Sequence, residues 1–389
     1  MITVFPGKPL ITDAEVSAAL ACACAQVERN IPDFTDVCQN HSSVHNRYPA
    51  CSNTQWTCGF WPGELWLAYE HTRNNSFRTC AETQVQSFLY RIEHKIEVDH
   101  HDMGFLYSPS CVAAYKLTGN TDARKAALLA ARQLASRYQP AGRFIQAWGT
   151  MGAKENYRYI IDCLLNVPLL YWAEKESGDG SLKEIADNHI KTCMANSFRE
   201  DFSTYHTFFM DPDTGKPDHG ATCQGYRDDS SWARGQAWAV YGTALAYRYV
   251  PDPAFKTVFE QAAAYFLSRL PDDLVPYWDL IFTTGSEEPR DSSSASIVAC
   301  GLLEMAAHAD DGRKQVYRDI ARQILKSLYD TYAVKDFSVS NGLVLHGTYS
   351  KKSPYNTCTP EGVDECVSWG DYFYMEALTR LSTDWNPYW

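Results

Sequence analysis

The sequence has no run of about 18 apolar residues, the length that a membrane-spanning helix needs, so no membrane span is expected. Its N-terminal segment, MITVFPGKPLITDAEV, lacks the basic stretch and apolar core of a secretory signal peptide. No cluster of Lys and Arg appears, and the formal net charge is −12, which argues against nucleic acid as a partner. We therefore expect a cytoplasmic protein whose partners are neither membranes nor nucleic acids.

Several familiar catalytic and metal-binding motifs are missing as well. The chain contains no phosphate-binding glycine loop, no dinucleotide fingerprint, no GxSxG nucleophile elbow and no HExxH zinc motif. Its 13 cysteines follow no zinc-finger spacing and are expected to be reduced thiols. The sequence therefore predicts no metal site and no cofactor, and no residue is marked as a nucleophile.

Aromatic residues, by contrast, are abundant. The chain has 11 Trp, 24 Tyr and 17 Phe, many of them beside Gly, Asp, His or Arg rather than inside apolar runs. Most are expected to be core residues, but flat aromatic faces next to hydrogen-bonding groups also suit sugar rings. A carbohydrate is therefore a reasonable ligand, and it can be anionic because the local field in a cleft outweighs the net charge.

Apolar residues recur at spacings of three and four along most of the chain, which predicts an all-α protein of about twelve helices. Thr12 and Glu15 form a capping-box pattern, and Pro62 falls in a first turn. No linker divides the chain, so a single domain over 1–389 is expected. The predicted helices are 12–30, one from 61, 77–97, 108–118, 121–138, 156–176, 181–198, 230–249, 252–270, 292–308, 312–333 and 366–383.

These helices alternate between two kinds. One set is apolar on nearly all sides, as buried helices are, and the other carries charge on one face. Six inner and six outer helices in alternation predict an (α/α)6 barrel. Long loops then meet at one rim, where they could share a functional cleft. The inner helices open near 61, 108, 156, 230, 292 and 366, and the loops before them are 38–60, 98–107, 139–157, 199–231, 271–292 and 334–368.

Two carboxylates are candidates for catalysis. Asp102 ends the segment DHHD, and Asp162 is flanked by apolar residues on both sides. A carboxylate in such surroundings needs a partner or has a raised pKa, and a raised pKa suits a general acid. The alternative is a buried Asp that caps a turn or pairs with Arg. His100 and His101 are adjacent and should point apart, which favours one imidazole in the cleft over a metal site.

A third group lies near the start of the predicted helix 230–249. Arg234 and Trp238 are four residues apart and share a helix face, and Trp232 is close by. Together they could bind a ring that carries a carboxylate. In the alternative interpretation, Arg234 is paired with Asp228 or Asp229 on an aromatic-lined inner helix.

Several segments from about residue 50 to the C-terminus match one known family in order and context. They are QWTCGFWPGELWLAYEHT, HDMGFLYSPSC, RYIIDCLLNVPLLYWA, TCQGYRDDSSWARGQAWAVYG, VPYWDL, RDSSSASI, HGTYS and WGDYFYMEAL. Taken together they resemble the unsaturated glucuronyl hydrolases, glycoside hydrolase family 88, whose fold is the (α/α)6 barrel. The resemblance implies release of a 4,5-unsaturated uronate from lyase-generated oligosaccharides of the glycosaminoglycan type. It also implies hydration of the C4=C5 vinyl ether rather than attack at the anomeric carbon.

The resemblance assigns roles to individual residues. Asp162 matches the general acid and base, Asp102 matches the second essential carboxylate, and His100 is expected to be a bystander. The implied substrate contacts are Trp56, His101, Trp148, His206, Gln224, Arg234 and Trp238. Cys223 stands where family members often carry a basic or imidazole side chain that distinguishes sulfated from unsulfated sugars, so that preference is left open. Lys351 and Lys352, with Ser350 and Ser353, could receive a sulfate.

Three alternatives are compatible with the same residues. An unsaturated rhamnogalacturonyl hydrolase would share the fold and the hydration chemistry on pectin products. A sugar epimerase would use His101 and His206 as its acid–base pair, and a non-catalytic oligosaccharide-binding protein would tolerate Asp162→Asn. The oligomeric state is not predicted.

Overall fold

The computed structural model of the protein, which describes residues 2–389, consists of helices joined by loops that hold short strands. The helices are α1 (Asp13–Phe34), α2 (Phe60–Thr72), α3 (Asn75–Glu93), α4 (Met103–Tyr107), α5 (Ala113–Thr118), α6 (Thr121–Ala135), α7 (Cys163–Asn166), α8 (Pro168–Ser177), α9 (Gly180–Asn196), α10 (Ala233–Tyr249), α11 (Pro253–Ser268), α12 (Ser292–Ala306), α13 (Asp311–Ser327) and α14 (Ser368–Ser382). π-Helical turns at Ser108–Val112 and Leu328–Tyr332 join α4 to α5 and extend α13. No described helix is both long and apolar enough to cross a membrane.

The helices form two concentric rings. The inner ring consists of α2, α4 with α5, α7 with α8, α10, α12 and α14, and it closes where α14 packs against α2. Each inner element is covered by an outer helix, and these are α1, α3, α6, α9, α11 and α13. Every residue of α12 is buried, as expected for an inner helix. The predicted (α/α)6 barrel is therefore confirmed, together with the assignment of helices to the two rings.

Local sequence explains how these helices begin and how closely they pack. The predicted capping box is present at α1, where the Glu15 backbone N–H donates to Thr12 Oγ1 at 3.2 Å. Between α10 and α12, Gly301 permits close backbone contact, since a Cβ atom there would lie 2.8 Å from the Cα of Tyr241. Small residues on the inner helices therefore allow the inner ring to be tight.

The strands are short and lie in the loops. They are β1 (Cys38–Gln39), β2 (Ala50–Cys51), β3 (Tyr138–Gln139), β4 (Phe144–Ile145), β5 (Arg158–Ile160), β6 (Thr207–Met210), β7 (Pro217–Ala221), β8 (Gly347–Ser350) and β9 (Glu361–Glu365). β5, β6 and β7 form an antiparallel sheet in that order, and β8 pairs with β9. These elements give the loops before the inner helices a fixed shape.

Two helices near the candidate acids start at different residues from those predicted. The helix expected over 156–176 is wrong at its start, because Arg158–Ile160 pairs with β6 and α7 begins only at Cys163. The helix expected over 108–118 begins earlier, at Met103. Both differences place the candidate acids immediately before a short helix. The expectation of a single domain over 1–389 stays a prediction.

Candidate active site

A cavity of about 460 Å³ lies where the loops before the inner helices meet. Five of the six predicted loop segments or the helix starts beside them contribute to its lining, and 271–292 contributes nothing. The structure brings both candidate acids and all seven implied substrate contacts to this one cavity. They are Trp56, His101, Asp102, Trp148, Asp162, His206, Gln224, Arg234 and Trp238.

The two candidate acids occupy equivalent places in two short helices. Asp102 directly precedes α4 and Asp162 directly precedes α7, and neither side chain caps its own helix. The Nε2 atom of His101 lies 3.4 Å from Asp102 Oδ1 and 3.5 Å from Asp162 Oδ1. One imidazole therefore stands between two carboxyl groups in the cavity wall.

The pKa values of the two carboxyl groups are shifted in opposite directions. Burial, followed by the negative charge of Asp102, raises the pKa of Asp162 well above its ordinary value. Burial acts on Asp102 too, but His101 and His100 outweigh it and lower the pKa of Asp102. Burial also lowers the pKa of His101 to about 4, so this ring is neutral at neutral pH. The site thus combines Asp162, whose protonated form is favoured, with Asp102, whose ionised form is favoured.

The prediction that His100 is a bystander is wrong. Its Nδ1 atom lies 3.0 Å from Asp102 Oδ2 and accepts the Asp102 backbone N–H at 3.1 Å. Its Nε2 atom lies 3.0 Å from the carbonyl oxygen of Glu97. Neighbouring side chains point apart only on regular structure, and this segment is an irregular turn in which Glu97 has a positive φ of 45°.

Arg234 lies in the first turn of α10 and is fixed by backbone and aromatic contacts. Its Nη1 and Nη2 atoms donate to the carbonyl oxygens of Thr348 and Tyr349, each at 2.6 Å. The guanidinium carbon lies 4.3 Å from the ring centroid of Trp232 and 4.6 Å from that of Trp369. This arrangement holds a positive charge in the cavity wall.

The acid that faces Arg234 is Asp291, with 3.6 Å between Nη1 and Oδ2. The alternative pairing with Asp228 or Asp229 is therefore wrong. Asp229 pairs with Arg227 instead, and the Asp228 carboxylate accepts the Thr222 backbone N–H. Both residues lie in an exposed turn before α10, and the sequence alone could not show that Asp291 comes from the next inner helix.

Several aromatic residues line the cavity. Trp56 Nε1 donates to the Tyr349 hydroxyl at 3.2 Å, and its ring stacks on Trp369 at 5.3 Å between centroids. Trp238 is only 1% exposed, whereas Trp148 is 37% exposed with the Arg158 guanidinium 4.8 Å from its ring centroid. Trp148 is thus the aromatic residue most available to a ligand.

His206 is neutral and is held by the loop after β7. Its Nδ1 atom accepts the backbone N–H groups of Cys223 at 3.0 Å and Gln224 at 3.1 Å, so the ring proton is on Nε2. Burial, followed by the charge of Arg234, lowers the pKa of His206 to about 3. Because His101 is neutral as well, neither ring supplies the protonated imidazole that an acid–base pair of histidines requires.

Apart from Ser350, sequence reasoning missed the residues of the wall formed by β8, β9 and the loop between them. Its lining residues are Tyr349, Ser350, Thr357, Cys358, Thr359 and Glu361. Tyr349 is central, because its hydroxyl accepts from Trp56 and its carbonyl accepts from Gln224 Nε2 at 3.0 Å. The segment HGTYS, which contributes to the family resemblance, was the available signal for this wall.

The two lysines considered for sulfate binding do not line the cavity. Lys351 pairs with Glu288, and Lys352 donates to the carbonyl oxygen of Asn356 at 2.5 Å. The charged residue at this wall is Glu361, whose Oε1 atom lies 3.0 Å from His41 Nε2. This side of the cavity is therefore acidic rather than basic.

The family model described as Glycosyl Hydrolase Family 88 matches residues 30–375. The chain belongs to this family. The predicted family and the predicted enzyme class, a glycoside hydrolase, are thereby confirmed.

Relatives of this family 88 enzyme carry consistent names. The unsaturated chondroitin disaccharide hydrolase of Streptococcus pneumoniae is 48% identical over 383 residues, which cover 98% of this chain and 95% of the relative. A crystal structure of the unsaturated glucuronyl hydrolase from Streptococcus agalactiae matches with a TM-score of 0.95 and 45% identity, over 99% of this chain and 96% of the other. A variant from that organism, crystallised with dGlcA-GalNAc6S, matches with a TM-score of 0.87 and 41% identity over the same shares. These findings confirm the predicted unsaturated glucuronyl hydrolase over the rhamnogalacturonyl, epimerase and binding-protein alternatives.

Two clusters in this family 88 enzyme each bring three possible metal ligands together. They are His101 with Asp102 and Asp162, and Cys163 with His189 and Cys193. In the first, the raised pKa of Asp162 opposes the ionised form that a ligand needs. In the second, the Ile145 N–H donates to His189 Nδ1 at 3.0 Å, which leaves the proton on Nε2. Cys193 Sγ is 3.8 Å from both ring nitrogens and so faces the carbon between them. Neither cluster fits a metal ion.

Proposed function

We propose that the cavity binds the 4,5-unsaturated uronate at the non-reducing end of a lyase-generated glycosaminoglycan disaccharide, and that Asp162 is the catalytic acid. In this mechanism the Asp162 carboxyl protonates C4, and positive charge develops at C5 and the ring oxygen. Water adds to C5 and gives its proton to the Asp162 carboxylate. The resulting hemiketal opens, and the aglycone leaves from C1.

One observation carries this assignment. The Asp162 carboxyl group lines the cavity, has a pKa raised by burial and by Asp102, and keeps Oδ1 without a hydrogen-bond partner among residues 2–389. A carboxyl group whose protonated form is favoured, and which keeps one oxygen free of hydrogen bonds to the protein, can deliver its proton to a substrate carbon. Asp102 stays ionised beside Asp162, and its negative charge keeps the pKa of Asp162 raised. The Asp102 carboxylate can also accept a hydrogen bond from a sugar hydroxyl.

The remaining lining residues have matching roles. Arg234 supplies the positive charge that a uronate carboxylate requires, and Trp148 offers an exposed ring face to a sugar. The names of the relatives, which specify chondroitin disaccharides and glucuronyl groups, support a glycosaminoglycan substrate. The 13 cysteines are all free thiols, which supports the proposed cytoplasmic location because thiols persist in reducing compartments.

Unsaturated chondroitin disaccharides provide a direct test of the substrate. Hydration removes the conjugated double bond, so its ultraviolet absorbance should fall when purified enzyme is added. Arg234 is the only Lys or Arg among the described lining residues, and it is already engaged by Asp291. We therefore expect a higher kcat/KM for the unsulfated disaccharide than for its sulfated forms.

The comparison should include unsaturated disaccharides from hyaluronan, heparin and pectin at matched concentrations. Equal or better turnover of a sulfated disaccharide would contradict the expected preference but not the activity. If none of these substrates loses absorbance, the proposed function is wrong.

The pH dependence of kcat/KM tests the assignment of the acid. Activity requires protonated Asp162, so it should persist up to the raised pKa of this group and fall above it. Asp102→Asn removes the nearby negative charge, which should lower the pKa of Asp162 and move the basic limb of the profile to lower pH. A basic limb that stays in place would show that Asp102 does not tune the acid.

A further inference from the structure

Asn166, the last residue of α7, connects the two segments that carry the acids. It is 1% exposed, and its Oδ1 atom accepts the backbone N–H of Phe105 at 2.9 Å. Its Nδ2 atom donates to the backbone carbonyl of Asp162 at 3.4 Å. One side chain therefore contacts the helix that follows Asp102 and the residue that is the proposed acid.

The acceptor of the Phe105 N–H is unusual for a helix start. Asp102 is the N-cap residue of α4, and Phe105 is the third residue of that helix. An N-cap Asp normally accepts this N–H through its own carboxylate. Here Asp102 makes no such bond, and Asn166 from a different helix takes its place. The Asp102 carboxylate is thereby left free to face His101 and His100.

The backbones of α4 and α7 also touch at this point. A Cβ atom on Gly104 would lie 2.3 Å from the Cα and 2.6 Å from the carbonyl oxygen of Asn166, so only glycine fits there. The two helices have 5 and 4 residues, which is too short for either to be stable alone. Their position therefore depends on this contact.

We propose that Asn166 is a positioning residue that caps α4 from α7 and so keeps the Asp102 carboxylate at the side of Asp162. The inference rests on the proposed function for its effect on turnover, although the capping itself does not. Without the Asn166 amide, the Phe105 N–H lacks a partner in a buried place, and the Asp102 carboxylate, as the N-cap side chain of α4, can turn to accept it. Asp102 would then leave the position from which it maintains the pKa of Asp162.

Asn166→Ala should therefore lower kcat by about 10²-fold with little change in KM, because the effect falls on catalytic geometry. The basic limb of the pH profile should move to lower pH, as in Asp102→Asn. Asn166→Asp keeps an oxygen that can accept the Phe105 N–H and should retain more activity. The side chain in Asn166→Ser is too short to reach that N–H. This variant serves as the test if Asn166→Ala does not fold.

A double-mutant cycle separates positioning from general stability. If Asn166 acts through Asp102, Asn166→Ala should add little to the loss already caused by Asp102→Asn. Additive losses in kcat, or a wild-type pH profile in Asn166→Ala, would overturn the proposal. Asn30→Ala is the matched control, since Asn30 is 4% exposed and donates to the Asn341 carbonyl at 2.7 Å on the outer helix α1. It should lower the melting temperature without changing kcat.

A measurement without substrate distinguishes this proposal from the proposed function. Carbon-13 NMR titration of the Asp162 carboxyl group should give a lower pKa in Asn166→Ala than in the unchanged protein. That result would support the capping role even if no unsaturated disaccharide is consumed. An unchanged pKa would refute it even if the enzyme is active.

Discussion

Asp162→Asn should lower kcat by about 10³-fold, within the range that general acid–base catalysis contributes. The amide has the same shape as the carboxyl group but cannot deliver a proton to C4. KM should change little, because Asn keeps the volume and polarity at the cavity wall. The variant should be at least as stable as the unchanged protein, since it removes a group whose charged form is disfavoured by burial.

Loss of ultraviolet absorbance with the unsulfated chondroitin disaccharide measures this effect. Asp187→Asn is a suitable control, because Asp187 is also a partly buried Asp, accepts the Tyr171 hydroxyl at 2.7 Å and lies on the outer helix α9. It should retain kcat. If Asp162→Asn kept more than about a tenth of the activity, well above what loss of a general acid leaves, another group would have to supply the proton.

Arg234→Met should lower the free energy of unfolding by about 3–5 kcal/mol, as expected when one member of a buried ion pair is removed. Arg234 is 1% exposed and Asp291 is 0% exposed, so the remaining carboxylate would be buried without its counter-charge. The Thr348 carbonyl would also lose the Arg234 donor, and the Tyr349 carbonyl would keep only the donor from Gln224. Activity should fall with stability, because the proposed partner of the uronate carboxylate is gone.

Urea unfolding of single and double variants distinguishes these contributions. Arg234→Met combined with Asp291→Asn should be more stable than Arg234→Met alone, since the unpaired charge is removed. Activity should not return in the double variant. A single variant that unfolds within about 0.5 kcal/mol of the unchanged protein, the usual range for surface changes, would contradict the structural role of the pair.

Some residues of the site could be recognised from the sequence and others could not. Asp162 could be recognised because its apolar neighbours predict burial, and burial predicts the raised pKa. His100 could not, because its contact with Asp102 depends on an irregular turn. Asn166 gave no signal either, since its capping partner is 61 residues away.

The sequence by itself determined the barrel. Whether a helix is apolar on all sides or on one side is a property of its own residues, and that property assigned α10 to the inner ring and α13 to the outer ring. Only the tertiary structure decided which side chains meet in the cavity. The ion pair of Arg234 with Asp291 and the contact of His101 with Asp162 each join residues distant in sequence. The wall that contains Tyr349 and Glu361 likewise comes from a part of the chain far from both acids. Such contacts depend on how the loops fold onto one another, which no local pattern encodes.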